Sequence, residues 1–129
     1  MVVVDTSIWI EAQRRPAAQT ATTLKRLLDA DVVALALPVQ LELLAGVSRR
    51  DRAALARGLS ALPLLRPSAE TWTRVERWVP MAGDKGFTFG LANWLVTALA
   101  NEIDALIWSL DEDFTQLEKL KMAQLYSYR

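Results

Sequence analysis

Hydrophobic residues fall along this chain in short continuous runs that alternate with longer segments of helical periodicity. The first run, Val2-Val3-Val4, is β-branched, and further apolar runs occur at 32–37, 62–65, 105–108 and near 124–126. Apolar runs of this length are typical of strands buried on both faces of a parallel sheet. The pattern therefore predicts five short strands.

The segments between these strands are predicted to be helical. One helix, capped by Thr6 or Ser7, is expected to end near Arg14, and another is expected to begin at Pro38 and end at Gly46. Further helices are expected at 17–29, 49–61, from Ser68 to the loop at 83–86, at 89–100 and after 113. Alternating strands and helices predict an α/β sandwich with a mainly parallel sheet.

Two of the predicted helices carry distinct apolar patterns. On the helix after Ser68, Trp72, Val75 and Val79 share an apolar face. The segment FGLANWLVTALA at 89–100 is apolar on nearly every side, which predicts a buried helix. Its core stripe is expected to comprise Leu91, Trp94, Leu95, Ala98 and Leu99.

Asn93 is the one amide in that buried helix, and burying an amide is costly unless it is hydrogen-bonded. Two interpretations remain open from the pattern alone. The amide bonds to a neighbouring loop inside the core, or it points into a polar pocket that other parts of the chain build.

Composition narrows the chemistry available to this protein. The 129 residues fit a single domain, 1–129, and they include no cysteine and no histidine. Disulfides, thiolate and imidazole metal sites and histidine general bases are thereby excluded. Any metal must be a hard cation held by oxygen.

The location of the protein is also suggested by composition. No apolar run approaches the ~20 residues of a membrane span, and the N-terminus lacks the basic region of a signal peptide. The absence of cysteine suits a cytoplasmic protein with no membrane partner. The formal net charge is zero, so no overall basic field indicates a nucleic-acid partner.

Acidic residues follow three of the predicted strands or the helices after them. Asp5 ends the first strand, Glu42 lies about one turn into the helix after the second, and Asp111 and Asp113 follow ALIW at 105–108. Parallel strands end at one edge of the sheet, so these carboxylates are expected to converge there. Converging carboxylates repel each other, and Mg²⁺ or Mn²⁺ is the natural compensating partner. Such a site could activate water for phosphodiester hydrolysis.

Each acid also has a purely structural interpretation. Asp5 could cap the following helix, and Glu42 could favour the helix dipole. Asp111 and Asp113 could be turn residues. Only their joint placement at one edge favours a metal site.

Four segments resemble the motifs of PIN-domain ribonucleases of the VapC toxin type, found in toxin–antitoxin pairs. They are VVVDTSIWIE at the N-terminus, QLELLAGV at 40–47, KGFTFGLANWLVTALA at 85–100 and ALIWSLDEDF at 105–114. The resemblance implies a three-layer α/β/α sandwich and Mg²⁺- or Mn²⁺-dependent cleavage of RNA. It also implies a homodimer and a cognate antitoxin that wraps the early helices.

The resemblance assigns roles to individual residues. The implied catalytic residues are Asp5, Glu42, Asn93, Ser109, Asp111 and Asp113. The implied metal ligands among them are Asp5, Glu42, Asn93 and Asp111. Ser109 matches a supporting hydroxyl, whereas Asn93 stands where the family usually has an aspartate. An amide carries no charge, so we expect weaker metal binding, by tenfold or more, and reduced activity.

Two basic stretches supply candidate contacts with RNA phosphates: Arg14, Arg15, Arg49, Arg50 and Arg52. For the 49–52 run a solvated helix face is the favoured interpretation, and pairing with acidic antitoxin residues is a further alternative. Apolar residues at 8–10, 24–28, Leu41, Leu44 and Val47 could form an antitoxin groove, although a core position explains most of them.

Three functions from different classes are consistent with parts of this pattern. The leading one is a metal-dependent endoribonuclease toxin, and the second is a catalytically impaired PIN domain that binds antitoxin or RNA. A phosphoacceptor receiver domain would need an aspartate ending a central strand and a lysine ending a late one, and the strands at 62–65 and 105–108 provide neither. A dinucleotide-binding fold is excluded because no GxGxxG follows the first strand.

Overall fold

The polypeptide is organised around a parallel sheet in a computed structural model that describes residues 1–127. Its strands are β1 (Val2–Val4), β2 (Val33–Ala36), β3 (Leu64–Leu65) and β4 (Leu106–Trp108). Their order in the sheet is β3-β2-β1-β4, and every neighbouring pair is parallel. The helices are α1 (Thr6–Arg14), α2 (Gln19–Asp29), α3 (Leu37–Gly46), α4 (Arg52–Leu59), α5 (Ala69–Asp84), α6 (Leu91–Glu102) and α7 (Asp113–Lys119).

The β-branched run of β1 supplies hydrophobic side chains to both faces of the sheet. Val3 belongs to a core that includes buried residues of α5, α6 and α7. Val2 and Val4 belong to a second core with Ile8 of α1 and Leu24 of α2. Because side chains alternate along a strand, one three-residue strand contacts both helical layers. The three-layer α/β/α sandwich expected for this chain is thereby confirmed.

Helix α6 is buried along most of its length, as its apolar sequence predicts. Every residue from Trp94 to Ala100 is buried. Leu91, which the sequence places in the core stripe, is instead 58% exposed. It is the first residue of the helix, directly after the N-cap Gly90. The buried stretch begins one turn later, at Trp94.

Of the apolar face predicted for α5, only Val75 is buried. Trp72 and Val79 are 43% and 44% exposed, respectively. The buried stripe is Thr71, Val75, Trp78 and Ala82. A capping box between Ser68 and Thr71 begins the helix and satisfies the Thr71 hydroxyl, so this polar residue can occupy the inner face.

Most predicted boundaries differ from the observed ones by one or two residues, and two elements differ more. The helix expected at 49–61 begins at Arg52, because Ser48 and Asp51 close a hydrogen-bonded turn before it. The strand expected near 124–126 is a single parallel bridge between Ile107 and Leu125. Within residues 1–127, no helix is long and apolar enough to cross a membrane.

Candidate functional site

The carboxyl ends of β1 and β4 place two polar residues side by side. Val4 pairs with Trp108 at the end of the two strands. The next residue of β1, Asp5, donates its backbone N–H to the Trp108 carbonyl over 2.9 Å. Asp5 and Ser109 therefore leave neighbouring strands at the same edge of the sheet, where the sequence predicts the acidic residues to meet.

The Asp5 carboxylate is buried and tightly hydrogen-bonded. Its Oδ2 accepts hydrogen bonds from Ser7 Oγ and Ser109 Oγ, each over 2.7 Å, and from the Ser7 backbone N–H over 3.4 Å. Asp5 is also the N-cap of α1, so the expected cap at Thr6 or Ser7 is wrong. The extended backbone of Asp5 follows directly from the strand, which puts the cap one residue earlier.

The two serine hydroxyls also accept backbone hydrogen bonds. Ser7 Oγ accepts from the Leu110 N–H over 3.0 Å, and Ser109 Oγ accepts from the Asp111 N–H over 2.9 Å. Each hydroxyl has one proton, and that proton goes to Asp5. Ser7 Oγ and Ser109 Oγ lie 3.2 Å apart. Because both protons are donated to Asp5, the two hydroxyls do not hydrogen-bond to each other. The serines thus couple Asp5 to the loop that carries Asp111.

Asp111 organises the start of α7. Its Oδ1 accepts the Asp113 backbone N–H over 2.9 Å. This is the turn-forming role that the residue type favours, and it leaves Oδ2 for another partner. Asp111 is exposed and Asp113 is half-buried, so both carboxylates border solvent.

The side-chain amide of Asn93 is the hydrogen-bond partner of Asp111 Oδ2. Its amide Nδ2 donates to Asp111 Oδ2 over 3.0 Å and to Asp113 Oδ2 over 3.2 Å. The amide is therefore bonded to a neighbouring loop and points into a polar cluster built by other segments. Asn93 is only half-buried, so the interpretation of an amide pointing into a polar pocket describes it better than that of an amide inside the core.

Glu42 is attached to the same edge through Thr6. Thr6 Oγ1 donates to Glu42 Oε1 over 3.0 Å, and Thr6 directly follows Asp5 in the chain. The Glu42 side chain is exposed on α3. The hydrogen bond brings α3 to the polar edge, with Glu42 separated from the Asp111 cluster by the residues after β1.

The oxygen-rich side chains at this edge suit a hard cation such as Mg²⁺ or Mn²⁺. Within residues 1–127, however, no three acidic side chains converge on a point that could hold an ion. Mg²⁺ commonly binds through one or two carboxylates and keeps several waters. The residues at this edge therefore fit a largely hydrated cation rather than an ion enclosed by protein ligands, and Asp111 and Asp113 are two carboxylates that share the Asn93 donor.

The predicted phosphate-binding arginines lie at the surface in two places. Arg14 and Arg15 end α1, where Arg15 pairs with Glu11 over 3.2 Å. The other three, Arg49, Arg50 and Arg52, lie in the turn before α4 and at its start. Arg50 faces Asp51 over 3.6 Å. All five arginines are exposed.

A groove of about 900 Å³ runs between the first two helices and the α3–α4 region. Its apolar lining includes Trp9, Ile10, Leu24 and Leu28, and Glu42 lies at its border. Leu41 and Leu44, which were expected in such a groove, do not line it. Leu41 is instead 55% exposed, because it lies on the outer side of α3.

Thr6 and Ser7 are the residues of this site that the sequence interpretation missed. They were assigned only to helix capping, yet their hydroxyls hold Glu42 and Asp5, respectively. The polar triplet Asp5-Thr6-Ser7 directly after a buried strand is the signal that could have identified them.

A family model described as the PIN domain matches residues 2–120. Among solved structures, the VapBC2 complex of Rickettsia felis bound to promoter DNA contains a similar chain, with a TM-score of 0.80 at 19% identity and 100% coverage of both chains. DNA-bound VapBC from Salmonella typhimurium gives 0.77 at 14% identity, covering 97% of this chain and 96% of that one.

A third similar structure is VapC20 of Mycobacterium tuberculosis, described as a toxin that cleaves the sarcin–ricin loop. It gives a TM-score of 0.63 at 18% identity, covering 90% of this chain and 94% of that one. No curated protein sequence matches this chain. At such identities the structural likeness shows the fold, and the family model covers most of the sequence. The chain therefore belongs to the PIN domain family, and its fold is that of the VapC toxins.

Proposed function

We propose that this protein is a divalent-metal-dependent endoribonuclease of the toxin–antitoxin type, with Asn93 lowering its activity. The observation that carries this proposal is the hydrogen-bonded cluster at the carboxyl edge of β1 and β4. It links Asp5, Ser109, Asp111, Asn93 and Asp113 in a chain that belongs to the PIN domain family. The VapC20 description as an RNA-cleaving toxin supports RNA as the substrate class.

The side chains of this cluster would have different roles in hydrolysis. Asp111 and Asp113 would hold Mg²⁺ or Mn²⁺, and Glu42 and Asp5 would add negative charge nearby. When bound, the cation would supply charge stabilisation at the scissile phosphate and a more acidic water. Ser109 and Ser7 would keep Asp5 oriented by donating to its Oδ2.

RNA would reach this edge from the surface that bears the arginines. Arg14, Arg15, Arg49, Arg50 and Arg52 are proposed to contact its phosphates. Such contacts position a nucleic acid without reading its sequence, and they weaken as salt is added. A protein that hydrolyses cellular RNA would act in the cytoplasm.

The groove beside α1 and α2 is proposed to bind the cognate antitoxin. Its apolar lining suits an amphipathic helix, which commonly docks into a groove of this kind. Similar chains occur in VapBC and FitAB complexes, and this also supports an antitoxin partner. A homodimer is proposed as the assembly that presents two such grooves.

The proposal is tested by incubating the purified chain with a structured RNA and Mn²⁺. Slow cleavage that stops with EDTA and in Asp111→Asn supports the nuclease. The matched control is Asp84→Asn, because Asp84 is an exposed acid at the end of α5, away from the cluster. Equal cleavage by Asp111→Asn and Asp84→Asn would contradict the assigned site.

A second candidate function is a catalytically impaired PIN domain that binds antitoxin or RNA. Asn93 favours it, because this amide replaces a charge at the acidic cluster and donates to two of its carboxylates. Antitoxin or RNA binding without cleavage at any Mn²⁺ concentration would support this candidate over the nuclease.

A further inference from the structure

The two hydrogens of the Asn93 amide are both used at the acidic cluster. Asp111 Oδ2 lies 3.0 Å from Nδ2, and Asp113 Oδ2 lies 3.2 Å from it. An amide NH₂ has two donors, so each carboxylate can take one. The opposite amide orientation would turn the carbonyl oxygen towards two carboxylates, which is repulsive. The nitrogen must therefore face the acids while no cation is present.

In the part of the chain that is described, no positively charged side chain forms an ion pair with Asp111 or Asp113. The ion pairs found there involve Glu11, Asp29, Asp51 and Glu102, all away from the cluster. Two like charges close together repel, and a shared donor offsets part of that repulsion. Asn93 thus gives Asp111 and Asp113 a shared donor, which a cation held by these carboxylates would have to replace.

We propose that Asn93 is a positioning residue that holds Asp111 and Asp113 together by donating to both, and that a cation bound by these carboxylates would have to displace the amide. The inference rests on the proposed function in treating these acids as the metal centre. The hydrogen bonds that support it are independent of any nuclease activity.

Asn93→Asp should lower the stability of the metal-free protein and raise its affinity for a cation. It would remove both donors and add a third carboxylate to the pair. The metal-free protein would then be destabilised by repulsion, whereas a cation would gain a charged ligand and would displace no hydrogen bond. Metal affinity at oxygen sites rises with the number of charged ligands.

The test compares the natural chain, Asn93→Asp and the control Asn101→Asp. Asn101 is an exposed asparagine on the same helix, so the control adds the same charge away from the cluster. Calorimetric titration with MnCl₂ should show about tenfold or greater tightening for Asn93→Asp alone. In EDTA, the same variant should melt about 3–6 °C below the natural chain and recover with Mn²⁺, since each kcal/mol corresponds to a few degrees at this size.

A spectroscopic measurement covers the case in which Asn93→Asp folds poorly. The Asn93 side-chain NH₂ signals in a ¹⁵N correlation spectrum of the natural chain should be shifted from ordinary amide positions and should exchange slowly. They should move when MgCl₂ is added, while the Asn101 pair stays unchanged. Ordinary Asn93 signals that ignore Mg²⁺ would overturn the proposal, as would equal Mn²⁺ affinities in all three proteins.

Failure of this inference can be separated from failure of the proposed function by an RNA assay on the same samples. Tighter Mn²⁺ binding by Asn93→Asp without RNA cleavage would support the positioning role and contradict the nuclease. Cleavage with identical Mn²⁺ affinities and unperturbed amide signals would support the nuclease and contradict the positioning role.

Discussion

Ser109 connects the first acidic residue of the site to the last acidic loop. Its Oγ lies 2.7 Å from Asp5 Oδ2 and accepts the Asp111 N–H over 2.9 Å. One hydroxyl therefore fixes both the buried carboxylate at the end of β1 and the backbone that begins the turn after β4. The site depends on this link because its acids come from segments about a hundred residues apart in the chain.

Ser109→Ala should destabilise the protein. Asp5 is only 7% exposed, so the lost donor cannot be fully replaced by water. We expect the free energy of unfolding to fall by about 1–3 kcal/mol, the usual cost of removing a partner from a buried charged acceptor. Urea denaturation followed by circular dichroism measures this change.

Ser60→Ala is the matched control for that variant. Ser60 is exposed, and its hydroxyl donates to the Arg57 carbonyl at the end of α4. Its removal should change stability by less than about 0.5 kcal/mol, as for most surface substitutions. Similar losses in the two variants would show that Ser109 has no special role in holding Asp5.

Thr97→Val should stabilise the protein. Thr97 is fully buried in α6, and its hydroxyl has no hydrogen-bond partner among the described residues. Removing an unsatisfied buried hydroxyl should raise the free energy of unfolding by about 1 kcal/mol. Thr71→Val is the control, because Thr71 is equally buried but accepts the Ser68 N–H over 3.0 Å. Thr71→Val should lose stability, and a loss in Thr97→Val would indicate a bound water at that hydroxyl.

Lys121→Gly should also be stabilising. Lys121 has a φ of +63° at the end of α7, a left-handed conformation that glycine adopts without steric cost. The substitution should raise the melting temperature and add about 0.5–1 kcal/mol to the free energy of unfolding. Lys119→Gly, two residues earlier and within α7, should lower both values. Calorimetry that ranks the two variants in the opposite order would refute this.

Ile10→Asp should weaken antitoxin binding if the groove is the antitoxin site. Ile10 lines the groove and is 37% exposed, so a carboxylate there need not disturb the core. We expect at least about tenfold lower affinity, because apolar anchors dominate such interfaces. Val79→Asp is comparably exposed, at 44%, but lies on α5 outside the groove. Titration of the cognate antitoxin against both variants should show a loss for Ile10→Asp alone.

The sequence predicts the sheet and the site better than it predicts helix orientation. The sequence Val2-Val3-Val4 is enough to predict β1, because three consecutive β-branched residues fit a strand that is buried on both faces. α5 was oriented wrongly because Trp72 is more hydrophobic than Thr71. The buried stripe consists of Val75, Trp78 and Ala82 together with Thr71, whose hydroxyl is satisfied by the capping bond with Ser68.

The sequence also predicts only some of the residues of the candidate site. Asp5 and Asp111 were expected at one edge because parallel strands end together, and both residues lie there. The contribution of Ser7 was not foreseen, because a hydroxyl that caps a helix and one that orients an acid look alike in sequence. The resemblance groups Asn93 with Asp111 and Asp113, but only the folded chain shows that its Nδ2 donates to both carboxylates.

The most direct test of the central claim is the rate at which the natural chain and Asn93→Asp cleave a structured RNA in saturating Mn²⁺. The account predicts cleavage by both, at least about tenfold faster in Asn93→Asp because the added carboxylate strengthens the metal centre. Asp5→Asn introduced into the Asn93→Asp chain should abolish the gain. No cleavage by either chain, with both correctly folded, would contradict the assignment of this protein as a ribonuclease.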